Sequence, residues 1–395
     1  MGDMSKKNHI PSRRRGNQDR KLPKRLGRFL LESLEDRMML DGGMSAWKPS
    51  SSDVSDVRNG PMGNAGQYLI QVHNEYQNFL RAGGIGNFRS SLDGFIQFSG
   101  DRVAVDIVGL GDFDQFVTNL KNVGMQVLAQ TPRINAVSGW LPISQLLPVA
   151  TMTTTKSMAP VYTPAKAQQG SANNQADDVF FGGLPPTADL ARRSFGVDGS
   201  GFTVGVLSDS ANQFQGGLNA SITTGDLPPL SRINMLLDGP AGSSDEGRAM
   251  MELIYDIAPG ANFAFNTAFV GGIQGFANGI RALSTAGASV ITDDVLYANE
   301  PMFQDGLNAQ AAIDVVRNAD RVYTSAFFNG AASGFNSAFR VTTANVTGVG
   351  NGQFMDFDPG SPVVSTLPFN LTSPAAFLSF QWDNPFDGVA GQATS

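Results

Sequence analysis

From Gly201 onward the apolar positions switch between two spacings, a short continuous run and a helical stripe. Val204–Leu207 is an apolar run that ends beside a carboxylate, Asp209. A Gly-rich loop follows, and then a second run, Ile233–Leu237. Glu246–Ile257 has helical spacing and stops at Pro259-Gly260. Asn262–Ala268, Ser289–Asp294 and Arg321–Ala326 read as further strands, with helices predicted over Ile273–Ala286 and Gln304–Asn318. Strands separated by helices of about 10–15 residues predict an α/β fold with a doubly wound, mostly parallel sheet.

The pattern before Gly201 differs. Tyr68–Arg81 carries Leu69, Val72, Tyr76, Phe79 and Leu80 near helical spacing, so an amphipathic helix is expected there. His73 lies on it without a chemical partner nearby in sequence and reads as structural. Arg102–Val108 alternates as a strand, and Phe113–Val123 as a helix started by Asp112 and closed by Gly124. Two strands, Met125–Ala129 and Ala136–Pro142, come next, then a short helix over Ile143–Ala150 and a strand around Met158–Tyr162. The order βαββαβ predicts a small ferredoxin-like α+β domain. Five regions follow: a basic tail over 1–60, a helix and linker over 61–100, the small domain over 101–165, a Gln-, Asn- and Pro-containing linker over 166–198, and the α/β domain over 199–395.

Charge narrows the partners. Ten of the 28 Lys and Arg fall between Lys6 and Arg28, so the remaining chain holds 18 basic against 33 acidic side chains. An acidic body argues against nucleic acid, which needs a basic face. No apolar run reaches the roughly 18 residues of a membrane span. Cysteine is absent, which removes disulfides, thiolate metal sites and a Cys nucleophile. No cofactor or metal is expected. Gly199-Ser-Gly precedes its strand instead of following it, which argues against a nucleotide-binding turn.

Two stretches resemble known families. Leu34-Glu-Asp-Arg-Met-Met-Leu40, after the basic run, resembles the Leu-Glu-x-Arg-x-Leu-Leu segment at the start of many large secreted or surface proteins of some bacteria. It implies export to the outside or the cell surface. The second resemblance rests on four pieces. They are the strand ending in Asp209, Glu246-Gly-Arg-Ala-Met, Asp256-Ile-Ala-Pro-Gly-Ala, and Thr324-Ser-Ala-Phe-Phe-Asn-Gly. In order and spacing they resemble the peptidase domain of the subtilisin/sedolisin superfamily, over Gly199 to about Gly334. The resemblance implies a subtilisin-like fold and peptide or protein as substrate or ligand, and the α+β domain ahead of it resembles that family's inhibitory prodomain. Asp209 would be the catalytic Asp. Glu246 stands where subtilisins have His and sedolisins their catalytic Glu, with Asp245 or Asp209 as its acid partner. Asn329 would supply the oxyanion donor, and Asp293 and Asp294 would lie at the substrate-cleft edge.

The departures are as specific as the matches. Both histidines, His9 and His73, precede the domain, so no Ser-His-Asp triad is expected. Sedolisins carry an Asp four residues after the Glu, where this chain has Met250. Phe328 falls at the oxyanion position, and Asn329 one residue late. No Gly-Thr-Ser-x-Ala segment precedes Ser395. The expectation is therefore a C-terminally incomplete serine-peptidase homologue with little or no activity, or a non-enzymatic module that binds peptides.

Overall fold

A computed structural model describes residues 49–57, 59–166, 187–326, 337–346, 350–358, 360, 362–366, 381, 386–387 and 392–393. The export-type segment, most of the linker, Phe328 and Asn329 lie outside them.

Helix α1 (Gly66–Arg81) puts Leu69, Ile70 and Val72 into the core of the antiparallel half that follows, so it packs as part of that half. This half is built from β1 (Arg102–Gly109), α2 (Phe113–Asn122), β2 (Gln126–Thr131), β3 (Ala136–Pro142), α3 (Leu146–Ala150) and β4 (Thr155–Pro160). The strands run antiparallel in the order β4-β1-β3-β2. Alternation along β1 divides the sheet's faces: Val103, Val105 and Ile107 join the core under the helices, while Val108 turns to the opposite face. Asp112 caps α2, its carboxylate accepting the Gln115 amide at 2.8 Å.

His73 sits within α1's buried side, 6% exposed, with no hydrogen-bond partner for Nδ1. Burial pushes its imidazole below the ordinary 6.5. The folded state thus favours neutral His73, and the stability this provides is lost as pH falls below 6.5 toward the folded value. The thermal midpoint of this half is expected to drop between about pH 6.5 and pH 5, and His73→Leu should flatten that part of the profile. An unchanged profile in the variant would refute the assignment.

The parallel half begins with α4 (Thr187–Phe195) and β5 (Thr203–Ser208), followed by α5 (Gly217–Thr224), β6 (Ile233–Leu237), α6 (Glu246–Ile257) and β7 (Asn262–Thr267). It continues through α7 (Gly272–Thr285), β8 (Val290–Asp293), α8 (Leu307–Ile313) and β9 (Val322–Ser325). All pairings are parallel, in the order β9-β8-β5-β7-β6. The central strand β5 is covered on both faces, as an apolar run in a parallel sheet must be. Val204, Val206, Phe263 and Phe265 pack under α5 and α6, while Leu207 and Ala264 pack under α7 and α8.

Helix α5 occupies part of the stretch expected as a loop, because Gly216 and Gly217 take left-handed conformations that let the chain turn into it. Helix α8 is shorter than the periodicity predicts. Glu300 accepts the Asn308 amide at 3.3 Å and so marks its first turn, and residues 314–318 wind more widely as a π-helical turn. A hairpin of β10 (Val341–Val346) and β11 (Gly350–Met355) follows. Among the described residues no helix is long and apolar enough to cross a membrane.

Candidate functional site

Strand order reverses around β5: the chain leaves it toward β6 on one side and later reaches β8 on the other. Ligands of open α/β sheets bind beyond the carboxyl ends of strands at such a point. Asp209 follows the last residue of β5, and Asp293 ends β8 in register with Leu207.

Asp209 is fully buried, and its carboxylate is surrounded by donors. Oδ1 accepts the Ser210 amide at 2.6 Å and the Glu246 amide at 2.9 Å. Oδ2 accepts both the amide and the hydroxyl of Ser244 at 2.7 Å. The residue directly before α6, Asp245, is left-handed and gives that helix no side-chain cap. Asp209 supplies the acceptor instead, taking up an N-terminal amide of α6 and placing negative charge at the positive end of its dipole.

Asp245, also fully buried, turns its carboxylate to the 210–214 loop. It accepts the Ser210 hydroxyl at 2.6 Å, the Gln213 amide at 2.7 Å and the Phe214 amide at 3.0 Å. Arg248, one helical turn on, approaches Asp245 at 3.2 Å and Glu252 at 3.7 Å, and donates to the Phe214 carbonyl at 2.9 Å. Ser221 of α5 donates to Glu252. Gly247 permits this close approach of helix to sheet, since a Cβ there would collide with the Phe265 ring. Glu246 is held next to Asp209 through its amide and is itself 2% exposed.

Asp293 forms a second cluster one strand away. It accepts the Tyr323 hydroxyl, the Ser325 hydroxyl at 3.0 Å and, weakly, the Val295 amide at 3.4 Å. Burial pushes its carboxyl up, against the opposing pull of these donors. Tyr323 is also driven upward, first by burial and then by the Asp293 charge, so its phenol keeps its proton as a donor. Asp294 is the next residue along and adds to the upward push on Asp293. Just beyond, Val295–Leu296 pairs antiparallel with Ala165–Lys166, the segment that leaves the antiparallel half. Glu300, pushed up to about 7 by burial, binds the Asn308 amide at the start of α8.

Asp209, Asp245 and Glu246 are thus brought together by direct hydrogen bonds and chain adjacency, and Asp293 and Asp294 lie at the end of the neighbouring strand. Ser210, Ser244, Arg248 and Tyr323 were not singled out from the sequence. Ser243-Ser244 just before Asp245-Glu246 is a helix-start signal that would have pointed to Ser244. Among the described residues no group of three or more His, Asp or Glu is placed to hold a metal.

No family model matches the sequence. No curated protein matches it either. Among solved structures the chain is similar to fervidolysin from Fervidobacterium pennivorans, described as a keratinolytic enzyme related to subtilisin. That match has a TM-score of 0.36 and 14% identity, and covers 74% of this chain and 52% of fervidolysin. It is also similar to the epidermin leader peptide processing serine protease of Staphylococcus aureus. Two structures of that protease match at TM-scores of 0.34 and 0.33 and 10% identity, covering 57% of this chain and 60% and 59% of theirs. The chain spans about half the length of fervidolysin and about three-fifths of the processing protease. At these identities and TM-scores the likeness adds no weight to what the strand order and the site geometry say.

Proposed function

We propose that this chain is a serine-peptidase homologue of the subtilisin/sedolisin type that binds peptide at the carboxyl edge of its parallel sheet and hydrolyses it weakly or not at all. The observation that carries the peptide-binding reading is the antiparallel pairing of Ala165–Lys166 with Val295–Leu296, an extended segment laid beside the end of β8. Backbone pairing of this kind binds a peptide largely without regard to its side chains. In this reading Asp209 corresponds to the family's catalytic Asp and Glu246 to its carboxylate base, with Asp209 or Asp245 as the acid partner. Low activity is supported by the chemistry of Asp209, whose oxygens already accept four protein donors within 3 Å, and by the burial of Glu246. A base must reach the proton it removes, and an enclosed carboxylate does not.

The strand order β4-β1-β3-β2 and the βαββαβ sequence of elements support a ferredoxin-like prodomain for the antiparallel half. The basic start and the export-type segment support a secreted or cell-surface location. An acidic peptidase would also favour a carboxylate base, because paired carboxyls share protons at low pH.

Purified 1–395 protein is expected to leave casein and a peptide library uncut between about pH 3 and pH 8. Turnover abolished by Glu246→Gln would overturn the low-activity reading. A labelled extended peptide is expected to bind once the chain has been cut within 167–186. Absence of binding after that cut would overturn the peptide-binding reading.

A further inference from the structure

The outer face of the antiparallel sheet is lined with small or short side chains where it meets α7. Val108 and Ala136 join the apolar cluster of Ile273, Phe276 and Ala277. In the middle of this face stands a carboxylate, Asp106, 1% exposed. Close packing of the sheet on a helix requires no charge there, and a buried ionised carboxylate with no cation beside it is costly.

The side chains around Asp106 come from both halves of the protein. Ser138, its cross-strand partner on β3, donates to Oδ1. Gln274 of α7 donates through Nε2 to the same oxygen at 3.3 Å and to the Ser138 hydroxyl at 2.7 Å. Thr131 of β2 donates to Gln274 Oε1 at 2.8 Å, which fixes the amide's orientation. The backbone of Gly272 comes so near that a Cβ there would lie 3.5 Å from Oδ2. The titratable group facing this cluster from the parallel half is Tyr297, which is fully committed to the Ala268 carbonyl at 2.8 Å. Its phenol is pushed up first by burial and then by the charges of Asp106 and Glu300, so it stays neutral throughout. Ser138 and Gln274, the two side chains that act on Asp106, are both uncharged.

We propose that Asp106 is a proton-operated latch between the two halves: protonated, it is buried cheaply against α7, and once ionised it weakens the seating of the antiparallel sheet on that helix. Burial raises the carboxyl to about 7 while docked, from an ordinary 3.8 when exposed to water. A group raised in the docked form contributes its stabilisation in full below 3.8 and loses it as pH rises toward 7. Above that the docked form is also ionised and the dependence levels off. The sign is opposite to that of His73, whose protonation weakens the antiparallel half in acid. The latch does not depend on the peptidase reading, since it concerns only how the two halves hold together.

Hydrogen exchange of the full 1–395 chain, corrected for the intrinsic pH dependence of the amides, tests this at β1 and α7. Protection over Gly272–Thr285 and Arg102–Gly109 is expected to fall by up to about tenfold per pH unit between pH 5 and pH 7, then flatten. Asp106→Asn keeps the shape and removes the charge, and is expected to abolish the slope in both segments. Gln274→Ala, which removes the cross-half donor and leaves the ionisable carboxyl in place, should lower protection at every pH and keep a slope. A wild-type profile without slope over this range, or the same slope in Asp106→Asn, would overturn the latch. Should Asp106→Asn fail to fold, Asp106→Ser removes the same charge in a smaller side chain, and an unchanged slope in it would likewise overturn the latch.

Discussion

Arg248→Met is expected to destabilise the parallel half by about 3–5 kcal/mol, the range observed when one partner of a buried ion pair is removed. Arg248, Asp245 and Glu252 are all essentially closed to solvent. Methionine fills much of the same volume, so packing survives while two carboxylates lose their counter-charge. The Phe214 carbonyl loses its donor as well. For a domain of this size the thermal midpoint is expected to fall on the order of 10 °C. A triple replacement, with Asp245→Asn and Glu252→Gln added, should recover part of the loss, because no buried charge is then left alone. A single variant as stable as the wild type would show that the network does not hold α6 in place.

The second large effect concerns Asp209. Were it only a catalytic group, its removal would change activity and leave folding alone. The hydrogen bonds it accepts lead to the opposite expectation. Asp209→Ala strips acceptors from the amides of Ser210, Ser244 and Glu246 and from the Ser244 hydroxyl. Hydrogen bonds to a charged group contribute about 1.5–3 kcal/mol each, partly offset here because a buried charge is also removed. A net loss of about 3–5 kcal/mol is expected, read as a lower denaturant midpoint with an unchanged slope. Asp209→Asn keeps one acceptor oxygen but points an NH2 group toward donors, and should fall between wild type and alanine. Equal stability of all three would return Asp209 to a purely chemical role.

How much of this was legible beforehand follows from which interactions are local. Strands β5, β7 and β8 stood out because burial on both faces demands a continuous apolar run. Helix α5 did not, since its start depends on two left-handed glycines whose use is decided by the 210–214 loop reaching Asp245. The adjacency of Asp209 and Glu246 was legible from a strand end and a helix start. The buried network was not. Asp245, Arg248 and Glu252 have the spacing of an ordinary surface ion-pair row on a helix, and only the docking of α5 and the 210–214 loop encloses them. The contact of Asp106 with Gln274 joins residues far apart in the chain and leaves no periodic trace.

The short ribbon between Ala165–Lys166 and Val295–Leu296 has a consequence for any measurement of ligand affinity. A segment covalently tethered beside the strand it pairs with competes at an effective concentration in the millimolar range. An added peptide must displace it, so the apparent Kd of the intact chain is inflated by roughly the ratio of that concentration to the tether's own dissociation constant. Two residues of backbone pairing hold weakly by themselves; the covalent continuity through 167–186 to the parallel half makes them strong competitors. Severing the chain within 167–186 leaves the pairing of Ala165–Lys166 with Val295–Leu296 itself in place, yet it turns a permanent occupant into one that dilution can remove.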